Sequence, residues 1–237
     1  MNTLRHALWM QERGHNTTLF CVKGSLLHKE GLKAEIDIIE VKRNKKNFDF
    51  SSAYSLYKQL KKIKAEVVWF RDKRDLSTIG IAKTLSLGKV KIVYQQAMQI
   101  GVVKKHVLHT IRFKKIDAWI TPLNYLADQI KNRTRFNYAK VHVVPLGINM
   151  TQFDENGLQR DEARKRFGFV EDDVVVGIIG RIDPHKAQKF VKDAVVELRN
   201  RNPKLKLLIV GNKTEGEWED YYLNLKKEID EKHKDGS

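Results

Sequence analysis

Short apolar runs that alternate with segments of helical periodicity decide what this 237-residue chain can become. Residues 3–13 fit a helix that ends at Gly14, and "NTTLFCV" (16–22) and "AEIDIIEV" (34–41) read as strands. A Lys/Asn-rich loop at 42–49 leads into a helix over 52–63, where Tyr54, Leu56, Tyr57, Leu60 and Ile63 share one face. The alternation runs on through "EVVWF" (strand), a helix over 75–87, "KIVYQQ" (strand), a helix over 103–114 and the short strand "DAWIT". Pro122 suits the first turn of the next helix, and "KVHVVPLG" (140–147) is a strand. Residues 148–173 are polar, with one short helix, "QRDEARKRFG", that Gly168 closes. A second run starts at Val174: strand, helix 186–200, strand 205–211 and a charged helix 217–232. Strands that alternate with helices of this length form βαβ units and parallel sheets. The pattern predicts an α/β chain of two doubly wound units in series: 1–148, a connection 149–173, and 174–237.

The net charge of +16 is divided unevenly. Residues 1–150 carry 28 Lys and Arg against 11 Asp and Glu; residues 151–237 carry 17 against 18. A positive field confined to one unit attracts anionic partners, whether lipid head groups, phosphorylated acceptors or nucleic acid. "VKRNKKNF" and "YKQLKKIK" are the candidate segments for such a surface. No helix-turn-helix, zinc or RNP-like pattern accompanies the charge, which disfavours nucleic acid. The lone Cys21, in "TTLFCV", reads as a buried reduced thiol, and a reducing cytoplasm is the expected compartment. No apolar run reaches the roughly 18 residues that span a bilayer.

The chemistry gathers in "VVVGIIGRIDPHKAQKF", Val174 to Phe190. A continuous apolar run is the mark of a buried parallel strand, and open α/β sheets bind ligands beyond the carboxyl ends of their strands. Gly180 and Arg181 stand at that end, and Lys186 stands at the expected start of the next helix. A guanidinium, an ammonium and a helix N-terminus in one place form an anion site suited to a phosphate or diphosphate. An ordinary surface Arg and Lys beside a βα loop fits the same spacing. "GNKT" (211–214) lacks the upstream glycine of a phosphate loop, with Leu207 in its place. His106 and His109 have no third ligand near in sequence, and no metal site is expected.

These residues resemble the family 4 glycosyltransferases of the GT-B fold. "LRHALWMQERGHNTTLF" is similar to the family's L-x-E-R-G-H-x-V-T stretch, and "VPLGINMTQF" to its V-P-x-G hinge signature. "GRIDPHKA" resembles its G-R-x-x-x-x-K-G pattern, with Ala187 where glycine is usual. The resemblance implies two Rossmann-like domains, the first holding the acceptor and the second a nucleotide sugar. It implies that Gly180, Arg181 and Lys186 bind the donor diphosphate, and that Arg181 and Lys186 act catalytically without a metal or other cofactor. Gln95 and Gln96 stand where the family often has a histidine, and are possible acceptor or sugar contacts.

By the same resemblance the chain lacks the family's first strand and the Glu pair of the donor domain; no two of its glutamates lie eight positions apart. The expectation is therefore a retaining glycosyltransferase truncated at both ends. It would transfer a hexose-like sugar to a glycan or lipid-linked acceptor of the cell envelope, from the cytoplasm or the inner face of the membrane, with little activity of its own. A non-catalytic interaction module of glycosyltransferase origin is the alternative, and a nucleic-acid-binding protein a weaker one.

Overall fold

The computed structural model describes residues 2–42, 49–96, 98–150, 157, 159–213 and 216–234. It divides into two compact units, Met1–Ile148 and Asn149–Ser237. Both are α/β and every strand pairing is parallel. The segment 149–173, expected to be a connection, belongs to the second unit.

The first unit runs α1 (Asn2–Gln11), β1 (Thr18–Val22), α2 (Leu26–Lys33), β2 (Asp37–Val41), α3 (Phe50–Lys62), β3 (Val67–Phe70) and α4 (Leu76–Leu85). It continues with β4 (Lys91–Gln95), α5 (Val107–Phe113), β5 (Ala118–Thr121), α6 (Asn124–Arg133) and β6 (Val141–Val143). Its strands form two sheets, β1-β2 and β3-β4-β5-β6, where the sequence pattern points to one. The main core lies against the four-stranded sheet. Trp119, 2% exposed, meets Tyr94, Phe113 and Phe136 with ring centroids 5.0 to 5.1 Å apart. Burial pushes the Tyr94 hydroxyl pKa up to about 12, with the Asp72 charge adding to it, so the ring stays neutral in its apolar setting.

Several boundaries differ from expectation for identifiable reasons. The sequence pattern leaves residues 23–33 unassigned, and the structure places α2 there. In the structure Gly31 lets the helix lie close on the sheet: a Cβ there would stand 3.0 Å from Ile38 Cδ1 and 3.2 Å from Leu19 Cδ1. Ser25 caps this helix by accepting the His28 N–H. Pro122 precedes α6 instead of sitting in its first turn, since Leu123 is the N-cap. β6 ends at Val143, and Pro145, which has no N–H to give a ladder, follows one residue after the last pairing of Val144 N–H with the Thr121 carbonyl (2.8 Å). α5 begins four residues later than expected because His106 Nδ1 accepts the Leu108 N–H and so caps it.

The second unit runs α7 (Arg160–Arg166), β7 (Val174–Ile179), α8 (Gln188–Arg199), β8 (Leu205–Val210) and α9 (Glu219–Lys234). Gly168, at φ 74°, closes α7 with the two reversed bonds of a Schellman turn: Phe169 N–H to Arg164 O and Gly168 N–H to Lys165 O. β7 and β8 pair in register from Val174 with Leu205 to Ile179 with Val210. Val195, Leu205 and Leu225 are buried here. Two parallel strands bury little by themselves. The unit therefore leans on its helix contacts, among them the clamp of Lys189 and Lys192 on Glu228 of α9.

Those two ammonium groups, Lys189 first, hold the Glu228 carboxyl pKa down to about 2. A depressed carboxylate pKa stabilises the fold above its ordinary value near 4.5 and loses that contribution as the pH falls towards 2. Glu228→Gln is expected to lower the melting temperature of this unit by a few degrees at neutral pH, the scale of an exposed pair worth under about 1 kcal/mol. That gap narrows between pH 4.5 and 2, and a pH series of thermal melts on both proteins measures it.

Candidate functional site

The carboxyl end of β7 carries the residues that the sequence singles out. Gly180 N–H continues the ladder to the Val210 carbonyl (2.9 Å), and Ile182 N–H reaches the Asn212 carbonyl (3.0 Å). The chain after β8 passes so close to this point that a Cβ on Gly211 would lie 1.9 Å from the Gly180 carbonyl oxygen. Only glycine fits there. The discarded "GNKT" thus has a structural reason for its glycine that its sequence does not announce.

Beyond Gly180 the loop is tied to itself. The carbonyl of Arg181 accepts the Gln188 side-chain amide (2.7 Å), and Gln188 is 1% exposed. Asp183, also buried, accepts the His185 N–H (2.9 Å), and its carbonyl takes the Lys186 N–H (3.0 Å). These bonds make Pro184–Lys186 a 3₁₀ turn. The long helix therefore starts at Gln188, two residues later than expected, after Ala187 in the left-handed conformation at φ 59°. That conformation costs an L-residue about 1 kcal/mol relative to glycine. It gives the physical reason why glycine suits this place.

Arg181 and Lys186 are thus held by their backbones on one loop, at the positive end of α8. Both side chains are exposed; the Arg181 guanidinium stands 4.0 Å from the Asp183 carboxylate. Two contacts from the start of α9 brace the loop: Trp218 meets the His185 ring edge-on (5.7 Å), and the Tyr221 hydroxyl accepts the Lys189 N–H (3.3 Å). Sequence reasoning assigns no role to Asp183, Gln188 or Tyr221, and meets Gly211 only in the discarded phosphate-loop pattern. An Asp before Pro at a helix entry is the one local signal among them. The arrangement sets two exposed cationic side chains on a fixed loop beside the positive end of α8, which suits an anion.

Gln95 and Gln96 lie in the first unit, at the end of β4, and both are buried. Gln96 is committed to the fold: its Oε1 accepts the Trp119 indole N–H (3.0 Å), and its amide donates to the Met98 carbonyl (2.8 Å). The Gln95 side chain lies near His6, and its Oε1 has no hydrogen-bond partner among the described residues. Of the two, Gln95 keeps an acceptor to offer. Burial, then Arg71, holds the His6 pKa below its ordinary value, so its ring is neutral near pH 7. His106 caps α5 and His109 stacks on Phe113 (6.0 Å). Among the described residues no group of three or more His, Cys, Asp or Glu could hold a metal ion, and no helix is long and apolar enough to cross a membrane. Cys21 is buried and unpaired, its thiol pKa pushed up by burial and by Glu40. Six residues of "VKRNKKNF" (43–48) lie outside the described residues.

Residues 3–152 match the family model "Glycosyltransferase Family 4", and residues 159–234 match "Glycosyl transferases group 1". The D-inositol 3-phosphate glycosyltransferases of Actinosynnema mirum and Stackebrandtia nassauensis are each 34% identical over 99 residues, 40% of this chain and 23% or 22% of theirs. A glycosyltransferase from Rickettsia africae superposes with a TM-score of 0.67 at 18% identity, covering 90% of this chain and 64% of that one. Anabaena Alr3699/HepE, solved with UDP and glucose, gives a TM-score of 0.66 at 12% identity, covering 96% and 62%. At these identities the likeness concerns the fold, that of the GT-B glycosyltransferases. The chain spans less than a quarter of the curated relatives' length and under two thirds of these structural ones.

Proposed function

This chain belongs to the family 4 glycosyltransferases, and from that premise we propose that its second unit holds the diphosphate of a nucleotide-sugar donor on the loop between β7 and α8. One observation carries the reading: Arg181 and Lys186 flank a turn that Asp183 and Gln188 fix beyond the carboxyl end of a parallel strand. Gly180 gives the diphosphate close access to the backbone, as a residue without a Cβ can. When the bond from the sugar C1 to the phosphate oxygen breaks, negative charge grows on the leaving nucleoside diphosphate. Arg181 and Lys186 would offset it, so that no metal ion is called for. The UDP bound to the Anabaena relative supports a nucleoside diphosphate as the ligand.

The whole protein's reaction, on this reading, is transfer of a hexose-like sugar, with retention at C1, to a glycan or lipid-linked acceptor of the cell envelope. Gln95, with its unpaired carbonyl, is the acceptor-side contact. The basic first unit works at an anionic membrane surface on the cytoplasmic side. Calorimetric titration of the chain with a nucleoside diphosphate tests the donor reading. Saturable binding is expected for the diphosphate and none for the bare nucleoside. Equal behaviour of the two would favour a non-catalytic module of glycosyltransferase origin.

A further inference from the structure

The loop between β4 and α5 is not anchored like an idle surface loop. Ile100 N–H donates to the buried Gln129 Oε1 (2.9 Å), and Lys104 N–H to the Arg133 carbonyl (2.7 Å). Lys104 also forms a parallel bridge with Thr134. α5 itself is pinned by Phe113, buried edge-on against Trp119 (5.1 Å). With Phe113 turned inward, helical spacing sends Val107, Leu108 and Ile111 outward. Those three, with Val102 and Val103 of the loop, are 53% to 67% exposed. Three exposed aliphatic side chains on one helix face, with two more on the anchored loop that leads into it, are a feature that asks for a partner.

The stripe is bordered by cations. Lys104 and Lys105 lie on its loop side, and Arg112 and Lys114 flank it on the helix. None of the four has an ion pair among the described residues. Two of them, Lys104 and Arg112, lie close enough to repel. Burial, then Lys73 and Arg112, lowers the Lys104 pKa; burial, then Lys104, Arg112 and His106, lowers that of His109. Asp72, next to Lys73, is engaged by Arg74. The Arg112 Nε is buried with no hydrogen-bond partner.

We propose that α5 and the loop before it form a membrane-docking face, with Val102, Val103, Val107, Leu108 and Ile111 entering the acyl boundary and Lys104, Lys105, Arg112 and Lys114 meeting anionic lipid phosphates. This rests on the reading that the first unit meets an anionic membrane surface, and it names a place that neither basic segment of the sequence marks. Aliphatic residues ringed by cations suit the head-group boundary of a bilayer. A second copy would bring the same positive charge against this one. Single-stranded nucleic acid would look for exposed aromatic rings to stack on, and the stripe has none.

The test is co-sedimentation of the full chain with vesicles of phosphatidylcholine alone or mixed equally with phosphatidylglycerol. Binding is expected to the mixed vesicles only, and high salt weakens it. Removing two cations by K104Q/K105Q should lower partitioning roughly 30-fold, at about 1 kcal/mol per cation. L108S/I111S should lower it at least about tenfold, and K61Q/K62Q on α3 should leave it unchanged. The proposal fails if mixed vesicles do not bind the chain, if neutral vesicles bind it equally, or if the α5 variants bind like the parent. It fails in favour of a second copy if the chain self-associates and L108S/I111S abolishes that. Each variant is also titrated with nucleoside diphosphate. Retained nucleotide binding without vesicle binding overturns this surface and leaves the donor reading intact; the reverse outcome does the opposite.

Discussion

Gly211→Ala should unfold the second unit while the first stays folded. The added Cβ would sit 1.9 Å from the Gly180 carbonyl oxygen, against a backbone rather than the end of a flexible side chain. Relief requires β7 and β8 to part at the end where Gly180 N–H pairs with Val210 and Ile182 N–H with Asn212. Overpacking of this kind costs at least about 1–3 kcal/mol, and among the described residues the sheet affected has two strands. Circular dichroism should show partial loss of structure, and amide exchange should show protection lost in 174–210 but kept around Trp119. Parent-like protection throughout would mean that the strand crossing is not as tight as described.

The second large effect concerns ligand binding. Arg181→Ala and Lys186→Ala should each weaken nucleoside diphosphate binding roughly 10- to 100-fold, the size of a lost hydrogen bond to a charged group. Neither side chain packs in a core, so both variants should melt like the parent. Arg181→Lys keeps the charge but loses the planar fork, and should recover part of the loss. The two substitutions act on one ligand group, so their combined effect should fall short of the product of the single ones. A double variant that binds as tightly as the parent would remove the loop from the site.

The contrast between these residues shows what the chain announces about itself. Periodicity is local, so the alternation of strands and helices, the parallel sheets and the strand leading to Arg181 are legible in the sequence. Gly168 is legible too, since a glycine after a short polar helix has a local meaning. Gly31 is a glycine with a distant one: its partners Leu19 and Ile38 lie on two strands, so its role shows only once the sheet is in place. Gly211 is the same case, resolved only by the position of Gly180. Gln96 stands beside Gln95 as an apparent twin, and the Trp119 indole, 23 residues away, separates a structural amide from an available one. Lys186 lies where expected along the chain, but the helix start is displaced by a turn that Asp183 caps. The cations of α5 are visible in the sequence; which of its apolar residues face water is decided by Phe113 turning to the core.

The most direct measurement is the amide spectrum of the intact chain during titration with a nucleoside diphosphate. Saturable shifts are expected at Gly180, Arg181, Lys186 and the first residues of α8, which depend on the diphosphate and vanish in the Arg181→Ala/Lys186→Ala protein. Shifts confined to the first unit, or a loop that stays silent at saturation, would contradict it.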